Sequence, residues 1–338
     1  MTSLAVAICV NPQSGRDVRR LAARATNMTH EAKRDLVAHT AAGLDAVGVT
    51  DIYVAKEPFR IAAAALEYMD LKARVHVVEF PLKHAAIDTE TAVREFMRAG
   101  CRTMVSFGGD GTHRAIVRAL GRRCVEMSLI PLSTGTNNVF PSVAEPTIAG
   151  MVAGLNAAGL LAEKSLKRRC KVLHVHSPAG PDIGLIDAVL LERDHVGNLL
   201  PFDAARIRQI FLSRAEPGSI GMSPIGGLCE VVGEHEDEGL LVKMGPGRRF
   251  QAPLSPGLFR ELSVASTTRV GFAVAVPFRG PGVLALDGDR DIRLRDGEHA
   301  TVTLVRDGPW VIDVQAAMRW AVAHGIMPAA TQHPPTGH

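Results

Sequence analysis

The first 140 residues alternate short apolar runs with longer helical stretches, and that alternation restricts the fold more than any other feature of the chain. Runs at 4–10, 52–55, 75–80, 103–107 and 128–130 are nearly unbroken in apolar character, as in strands buried on both faces. Helical patterns lie between and beside them at 17–26, 31–47, 60–69, 89–99 and 113–120, and Gly100 stands where a helix stop belongs. Strand, helix, strand at this spacing predicts parallel strands joined by crossover helices. The expected fold class is α/β, with an N-terminal doubly wound, mostly parallel sheet domain over 1–145.

Beyond about residue 146 the texture changes. One helical stretch at 147–162 is followed by β-rich segments at 171–177, 184–192, 240–244, 269–275, 283–286 and 300–305. Gly and Pro punctuate them at 216–227, 245–257 and 277–282. This predicts a second, β-rich, β-sandwich-like and mostly antiparallel domain over 146–305. A helical stretch at 314–324 is expected to bring the segment 306–326 back onto the first domain. The tail at 327–338, rich in Pro, Thr and His, is expected to be disordered. A chain of 338 residues, 46% hydrophobic and 22% charged, can bury cores of this size without staples.

Net charge is only +3, which argues against nucleic acid as a partner because such proteins concentrate basic charge on one face. The run Lys164, Lys167, Arg168, Arg169 and Lys171 reads as a solvated helix end or edge strand before it reads as a phosphate patch. Five scattered cysteines without a CxxC pair point to reduced thiols and a cytoplasmic protein. Cys170, His174 and His176 match no familiar zinc spacing, and alternation through 172, 174 and 176 fits a strand with both histidines on one face. No apolar run approaches the roughly 20 residues of a membrane span, and no basic leader precedes the first run.

Chemistry concentrates in Val105-Ser106-Phe107-Gly108-Gly109-Asp110-Gly111-Thr112. The segment follows an apolar run and opens a helical one, and ligands of parallel α/β sheets bind beyond the carboxyl ends of the strands. Gly108, Gly109 and Gly111 allow backbone N–H groups to approach phosphate oxygens with no Cβ in the way. The helix adds unpaired N–H groups and a positive dipole end, with Thr112 as its expected cap. An acidic residue inside a phosphate loop makes sense if Asp110 does chemistry, either accepting the proton of an attacking hydroxyl or holding Mg²⁺. An ordinary Gly-Asp-Gly turn is the plain alternative.

Two further loops follow strand-like runs. Thr134, Gly135, Thr136, Asn137 and Asn138 offer small hydroxyl and amide donors, though a polar turn explains them as well. Asn11, Ser14 and Gly15, in Asn-Pro-Gln-Ser-Gly-Arg-Asp, follow the first run. All three loops would meet at one edge of the sheet, which argues for a single site. Neither a GxxxxGK[ST] loop nor a GxGxxG fingerprint is present.

Gly-Gly-Asp-Gly-Thr followed by Gly-Thr-Asn resembles the NAD kinase and diacylglycerol/sphingosine kinase superfamily. Asn11-Pro12-x-Ser14-Gly15-Arg16-Asp17 and Gly135-Thr136-Asn137-Asn138-Val139-Phe140-Pro141 look most similar to its acetoin-catabolism protein X branch, described as ATP-NAD-kinase-like. The resemblance spans about 4–320. It implies an α/β domain, a β-rich domain and a cleft between them. It implies Asp110 as the catalytic acidic residue, Gly108, Gly109, Gly111 and Thr112 around nucleotide phosphates, and Asn137 on the nucleotide. ATP and Mg²⁺ would be the cofactors, and homo-oligomers through the β-rich domain are implied.

NAD kinases hold substrate ribose with an Asn-Glu pair. Here the stretch is Leu185-Ile186-Asp187, where Asp187 stands in and the Asn is missing. Lipid kinases place Asp after Gly-Thr-Asn, where this chain has Asn138. Asp287-Gly288-Asp289 resembles the Asp-Gly-Glu turn near the lipid-kinase site, so Asp287 and Asp289 are auxiliary candidates. The same letters make a hairpin turn. The stretch 219–227 stands where NAD kinases carry a Gly- and Ser-rich substrate loop, or is a linker.

Three functions follow. The first is an ATP- or polyphosphate-dependent kinase of NAD or a related nucleotide. The second is a lipid kinase, for which Phe202, Ile207, Ile210, Phe211 and Leu212 with Arg206, Arg208 and Arg214 form a candidate amphipathic membrane helix, equally explained as a helix packed on the protein. The third is a non-catalytic nucleotide-binding regulator of acetoin catabolism.

Overall fold

A computed structural model describes residues 4–15, 28–135, 138–161, 163–198 and 203–327. Among these the chain builds three sheets. The first has seven strands in the order β3-β2-β1-β4-β5-β17-β6. They are β1 (Ala5–Val10), β2 (Asp51–Ala55), β3 (Arg74–Val78), β4 (Thr103–Gly108), β5 (Ser128–Ser133), β6 (Lys167–Arg169) and β17 (Trp310–Ile312). Every pairing is parallel except that of β17 with β6.

Helices cover both faces of this sheet, which is why its central strands are apolar throughout. One face packs α1 (His30–Ala46), α2 (Ile61–Leu66), α5 (Pro146–Ala157) and α7 (Val314–Ala323) around Ile8, Val37, Leu44, Val105 and Val152. The other packs α3 (Ala86–Arg98) and α4 (Asp110–Leu120) around Phe96, Met104, Ile116 and Leu129. Helices α1 and α5 touch backbone to backbone. A Cβ on Gly43 would lie 2.0 Å from the Thr147 carbonyl oxygen, and one on Gly150 2.1 Å from that of Thr40.

The remaining two sheets are antiparallel. A six-stranded sheet runs β12-β11-β10-β9-β14-β15, formed by β9 (Asp187–Leu191), β10 (Ile207–Leu212), β11 (Glu238–Ser255), β12 (Leu258–Gly271), β14 (Gly282–Leu286) and β15 (Asp289–Leu294). A four-stranded sheet runs β13-β16-β7-β8, formed by β7 (Val172–Ser177), β8 (Gly180–Gly184), β13 (Ala275–Arg279) and β16 (His299–Val305). They face each other across Leu173, Phe211, Phe278, Leu284 and Val302, as in a β-sandwich. The outer face of the six-stranded sheet is closed by Met222 and Ile225, the latter on the five-residue helix α6 (Ser223–Gly227). The chain is thus a mixed α/β protein with a parallel-dominated first sheet and antiparallel sheets after it.

Several local expectations are corrected. The candidate amphipathic helix over 202–214 is, where described, a single 3-10 turn at Ala204–Arg206 followed by strand β10. Ile210, Phe211 and Leu212 enter sheet cores instead of a membrane face. The glycine- and proline-rich stretch 245–257 lies inside the β11–β12 hairpin. The basic run forms a 3-10 turn at Lys164–Leu166 and the edge strand β6, as its plain reading expects, with Arg168 pairing to Asp237 at 3.2 Å; Lys171 departs from it, being buried with its Nζ donating to the carbonyls of Gly233 and Glu238 at 2.9 Å each. Among the described residues no helix is long and apolar enough to cross a membrane.

Candidate functional site

Strands β1, β4 and β5 are adjacent and in register, with Val10 opposite Phe107 and Gly108 opposite Ser133. Their carboxyl ends therefore release three loops at one level. A cleft of about 320 Å³ opens there. Its walls include Asn11, Ser14, Gly15, Gly109, Asp110, Gly111, Thr112, Gly135 and Asn138, with Asp287 and Asp289 contributed from the β14–β15 hairpin. Gly108, Thr134 and Asp187 stand behind this wall. Thr136 and Asn137, like Arg16 and Asp17, fall outside the described residues.

The loops are fastened to one another. Asn11 Nδ2 donates to Thr112 Oγ1 at 2.7 Å, and the hydroxyls of Ser14 and Thr134 share a hydrogen bond of 2.7 Å. Thr112 is therefore an anchor inside α4 and not its cap, since the helix begins at Asp110 with Gly109 as N-cap. Fully buried Lys33 donates Nζ to the carbonyls of Asn11 at 2.9 Å and Pro12 at 2.7 Å. The second and third loops meet through glycine. A Cβ on Gly135 would lie 2.8 Å from Gly109 Cα and 2.3 Å from Asn138 Oδ1. Asn138 donates Nδ2 to Ser133 Oγ at 2.6 Å, while its Oδ1 is buried with no partner among the described residues. His113 neither touches the cleft nor meets solvent. It is fully buried, one ring nitrogen 2.8 Å from the Gly109 carbonyl and the other 2.9 Å from Ser106 Oγ. Burial pushes its pKa down to about 4, so the ring is neutral and braces the turn.

The amino end of α4 presents N–H groups without intrahelical partners to the cleft, together with the positive end of the helix dipole. Asp110 sits at that end. Its carboxylate accepts from the Val139 N–H at 3.1 Å and the Phe140 N–H at 2.9 Å. Burial, and after it the charge of Asp287, raises its pKa to about 7, against the pull of those two N–H groups and Arg214. Asp187 lies behind it, raised well above the usual carboxylate range by burial and by the charges of Asp287 and Asp110. Asp187 Oδ1 is buried without a hydrogen-bond partner among the described residues.

Asp287 makes the hairpin turn that its sequence allowed and also lines the cleft. With φ 49° at Asp287 and 91° at Gly288, Asp-Gly makes the tight turn between β14 and β15. The Asp287 carboxylate also accepts N–H groups from Leu185 at 2.7 Å, Ile186 at 2.7 Å and Asp187 at 3.1 Å. Buried Arg114, one turn along α4 from Asp110, grips the same turn. It donates to the Leu286 carbonyl at 2.8 Å and lies 3.3 Å from Asp289 and 3.1 Å from Asp291.

Lys33 and Arg114 are absent from the residues the sequence singles out for the site. So is Glu57, a buried carboxylate on the cleft wall that accepts N–H groups from Phe59 at 2.9 Å and Ala62 at 3.1 Å. Among the described residues no group of three or more His, Cys, Asp or Glu is placed to hold a metal ion. His174, one of the histidines weighed as a ligand, instead pairs with Asp307 at 2.9 Å.

The model of the ATP-NAD kinase N-terminal domain matches residues 6–159, and that of the acetoin catabolism protein X C-terminal domain matches 171–307. Acetoin catabolism protein X of Cupriavidus necator is 33% identical over 354 aligned positions, covering 97% of this chain and 95% of that protein. The chain belongs to the acetoin catabolism protein X family. Most of the cleft wall lies in the NAD kinase-like region, whereas Asp187 behind it and Asp287 and Asp289 on it lie in the region matched by the family's C-terminal domain. Among solved structures, a Bacillus anthracis protein assigned as a diacylglycerol kinase is 13% identical with a TM-score of 0.40, covering 92% of this chain and 97% of its own.

Proposed function

We propose that this chain is an NAD kinase-like phosphotransferase that moves the terminal phosphoryl group of ATP, or of polyphosphate, to a hydroxyl of NAD or a related nucleotide. The observation that carries this reading is Asp110. It is a buried carboxylate with a pKa of about 7 on the wall of a cleft otherwise rimmed by glycine backbone and the amino end of a helix. Glycine N–H groups and a helix dipole suit phosphate. A base poised near neutrality suits proton abstraction from a hydroxyl.

In the proposed reaction the acceptor hydroxyl gives its proton to the Asp110 carboxylate as its oxygen bonds to the terminal phosphorus. The bond from that phosphorus to the bridging oxygen breaks, and ADP or shortened polyphosphate leaves with the electron pair. The loops of β1 and β5 orient the donor. Arg114 keeps Asp287 and Asp289 at the rim. Mg²⁺, when bound, neutralises charge on the donor phosphates. It is commonly held by one or two carboxylates plus phosphates and not by a protein cage, and Asp289, 41% exposed on the cleft rim, would be the carboxylate to hold it.

The experiment is to incubate the protein with ATP and Mg²⁺ and an acceptor panel of NAD, NADH, nucleosides and diacylglycerol, and to identify products by mass. A phosphorylated nucleotide supports the reading. A phosphorylated lipid moves the chain to lipid kinases. Nucleotide binding without any product makes it a sensor, in which the two N–H groups on Asp110 serve only to hold the loop.

A further inference from the structure

A second cavity, of about 440 Å³, opens between the carboxyl end of α4 and the β7–β8 edge of the four-stranded sheet. That volume falls in the range that holds small ligands. Part of its lining is apolar, supplied by Val117, Val172 and Ile183. Its remaining lining is unevenly charged. Arg118, Arg122 and Arg169 face it with Asp182 and Asp307, beside His174 and His176.

Both carboxylates already have partners. Asp182 is 3.3 Å from Arg118, and Asp307 is 2.9 Å from His174. The hydrogen bond from His174, with a smaller contribution from the charge of Arg169, holds Asp307 below the usual carboxylate range. Arg169 spends its hydrogen bonds on main chain, donating Nε to the Gly308 carbonyl at 2.8 Å and Nη2 to the Asp307 carbonyl. Arg122 is exposed and has no hydrogen bond or ion pair among the described residues. Arg122 therefore borders the apolar pocket with no carboxylate of its own, and Arg169 adds a second guanidinium whose hydrogen bonds go to main-chain carbonyls.

We propose that this cavity is a binding site for a small organic anion, with an apolar body against Val117, Val172 and Ile183 and a carboxylate or phosphate head on Arg122 and Arg169. Guanidinium is the side chain best matched to either head. The pocket is separate from the cleft. Val117 lies seven residues along α4 from Asp110, about 10 Å at the rise of a helix. The two cavities share no lining residue, and the proposed occupant is a second ligand. This inference does not depend on the proposed activity, because it concerns binding alone.

The test is calorimetric titration of the full chain with benzoate, phenyl phosphate and, as the uncharged probe, benzyl alcohol. One-to-one saturable binding of benzoate or phenyl phosphate is expected in the range of about 0.1–1 mM, with benzyl alcohol at least tenfold weaker. Phenyl phosphate could also enter the cleft, so the deciding variant is Arg122→Glu. It should weaken binding by at least about tenfold, the worth of one hydrogen bond to a charged group, and leave the thermal midpoint unchanged. Arg98→Glu, on α3 and outside the pocket, should change nothing. Failure of both anions to bind would overturn the proposal. So would equal binding of benzyl alcohol, or anion binding indifferent to Arg122→Glu.

Discussion

Asn11 and Thr112, 101 residues apart in sequence, are joined by a 2.7 Å hydrogen bond from the Asn11 side-chain amide to the threonine hydroxyl. That bond sets the spacing between the loop after β1 and the first turn of α4, and so the width of the cleft at its floor. Thr112→Val keeps the shape and removes the acceptor. It should cost about 1 kcal/mol in denaturant unfolding and weaken nucleotide binding more than the stability loss alone explains, because the two loops then separate.

Lys33 is a charged side chain with no exposed surface. Both carbonyls of the Asn11-Pro12 turn depend on its ammonium. Lys33→Met fills the same space and leaves them without that donor. Unfolding should become easier by about 2–4 kcal/mol, measured by the urea midpoint at constant m.

A close approach of glycines joins the second and third loops. Gly135→Ala would put its methyl 2.8 Å from Gly109 Cα, closer than Cβ contacts tolerate. The expected result is a folded protein of near-normal melting temperature that has lost nucleotide binding, read by calorimetry with ATP or NAD.

Burial of Asp110 makes stability depend on pH in a definite direction. Its pKa is about 7 in the folded chain against 3.8 for the free side chain, so the folded state holds the proton more tightly. Stability then falls as pH rises from about 4 to about 7 and is flat beyond. Asp110→Asn removes the charge, and its single oxygen can still accept from both Val139 and Phe140, as Asp110 Oδ1 does. The variant should be more stable than the parent at pH 8 by about 2 kcal/mol, roughly half the ceiling set by a three-unit shift. The advantage should vanish below pH 4.

Much of this architecture is legible in the sequence, for physical reasons that also mark where legibility ends. β1, β4 and β5 read as strands because parallel strands covered on both sides are apolar at every position. The loops after them read as a site because glycine, small hydroxyls and one acid stand where sheet ligands bind. Asp287 is visible as a turn, but its grip on the N–H groups of Leu185, Ile186 and Asp187 is not, because the partners lie about a hundred residues away. Lys33 and Arg114 escape for a related reason. A polar residue on a helix reads as solvated unless its distant partner is known. β10 reads as a candidate helix because Arg206, Arg208 and Arg214 suggest a charged stripe, whereas Arg214 is buried over Phe140.

Asp110 as the base of a phosphoryl transfer is the central claim. The most direct measurement is transfer of labelled phosphate from ATP at pH 8 with Mg²⁺, for the parent and for Asp110→Asn, with nucleotide binding followed in parallel. The prediction is a labelled nucleotide from the parent, a loss of about 10²–10⁴-fold in the variant, and ATP binding within a few-fold of the parent. Equal transfer by the variant would contradict the assignment of Asp110, and binding by both proteins with transfer by neither would contradict the kinase itself.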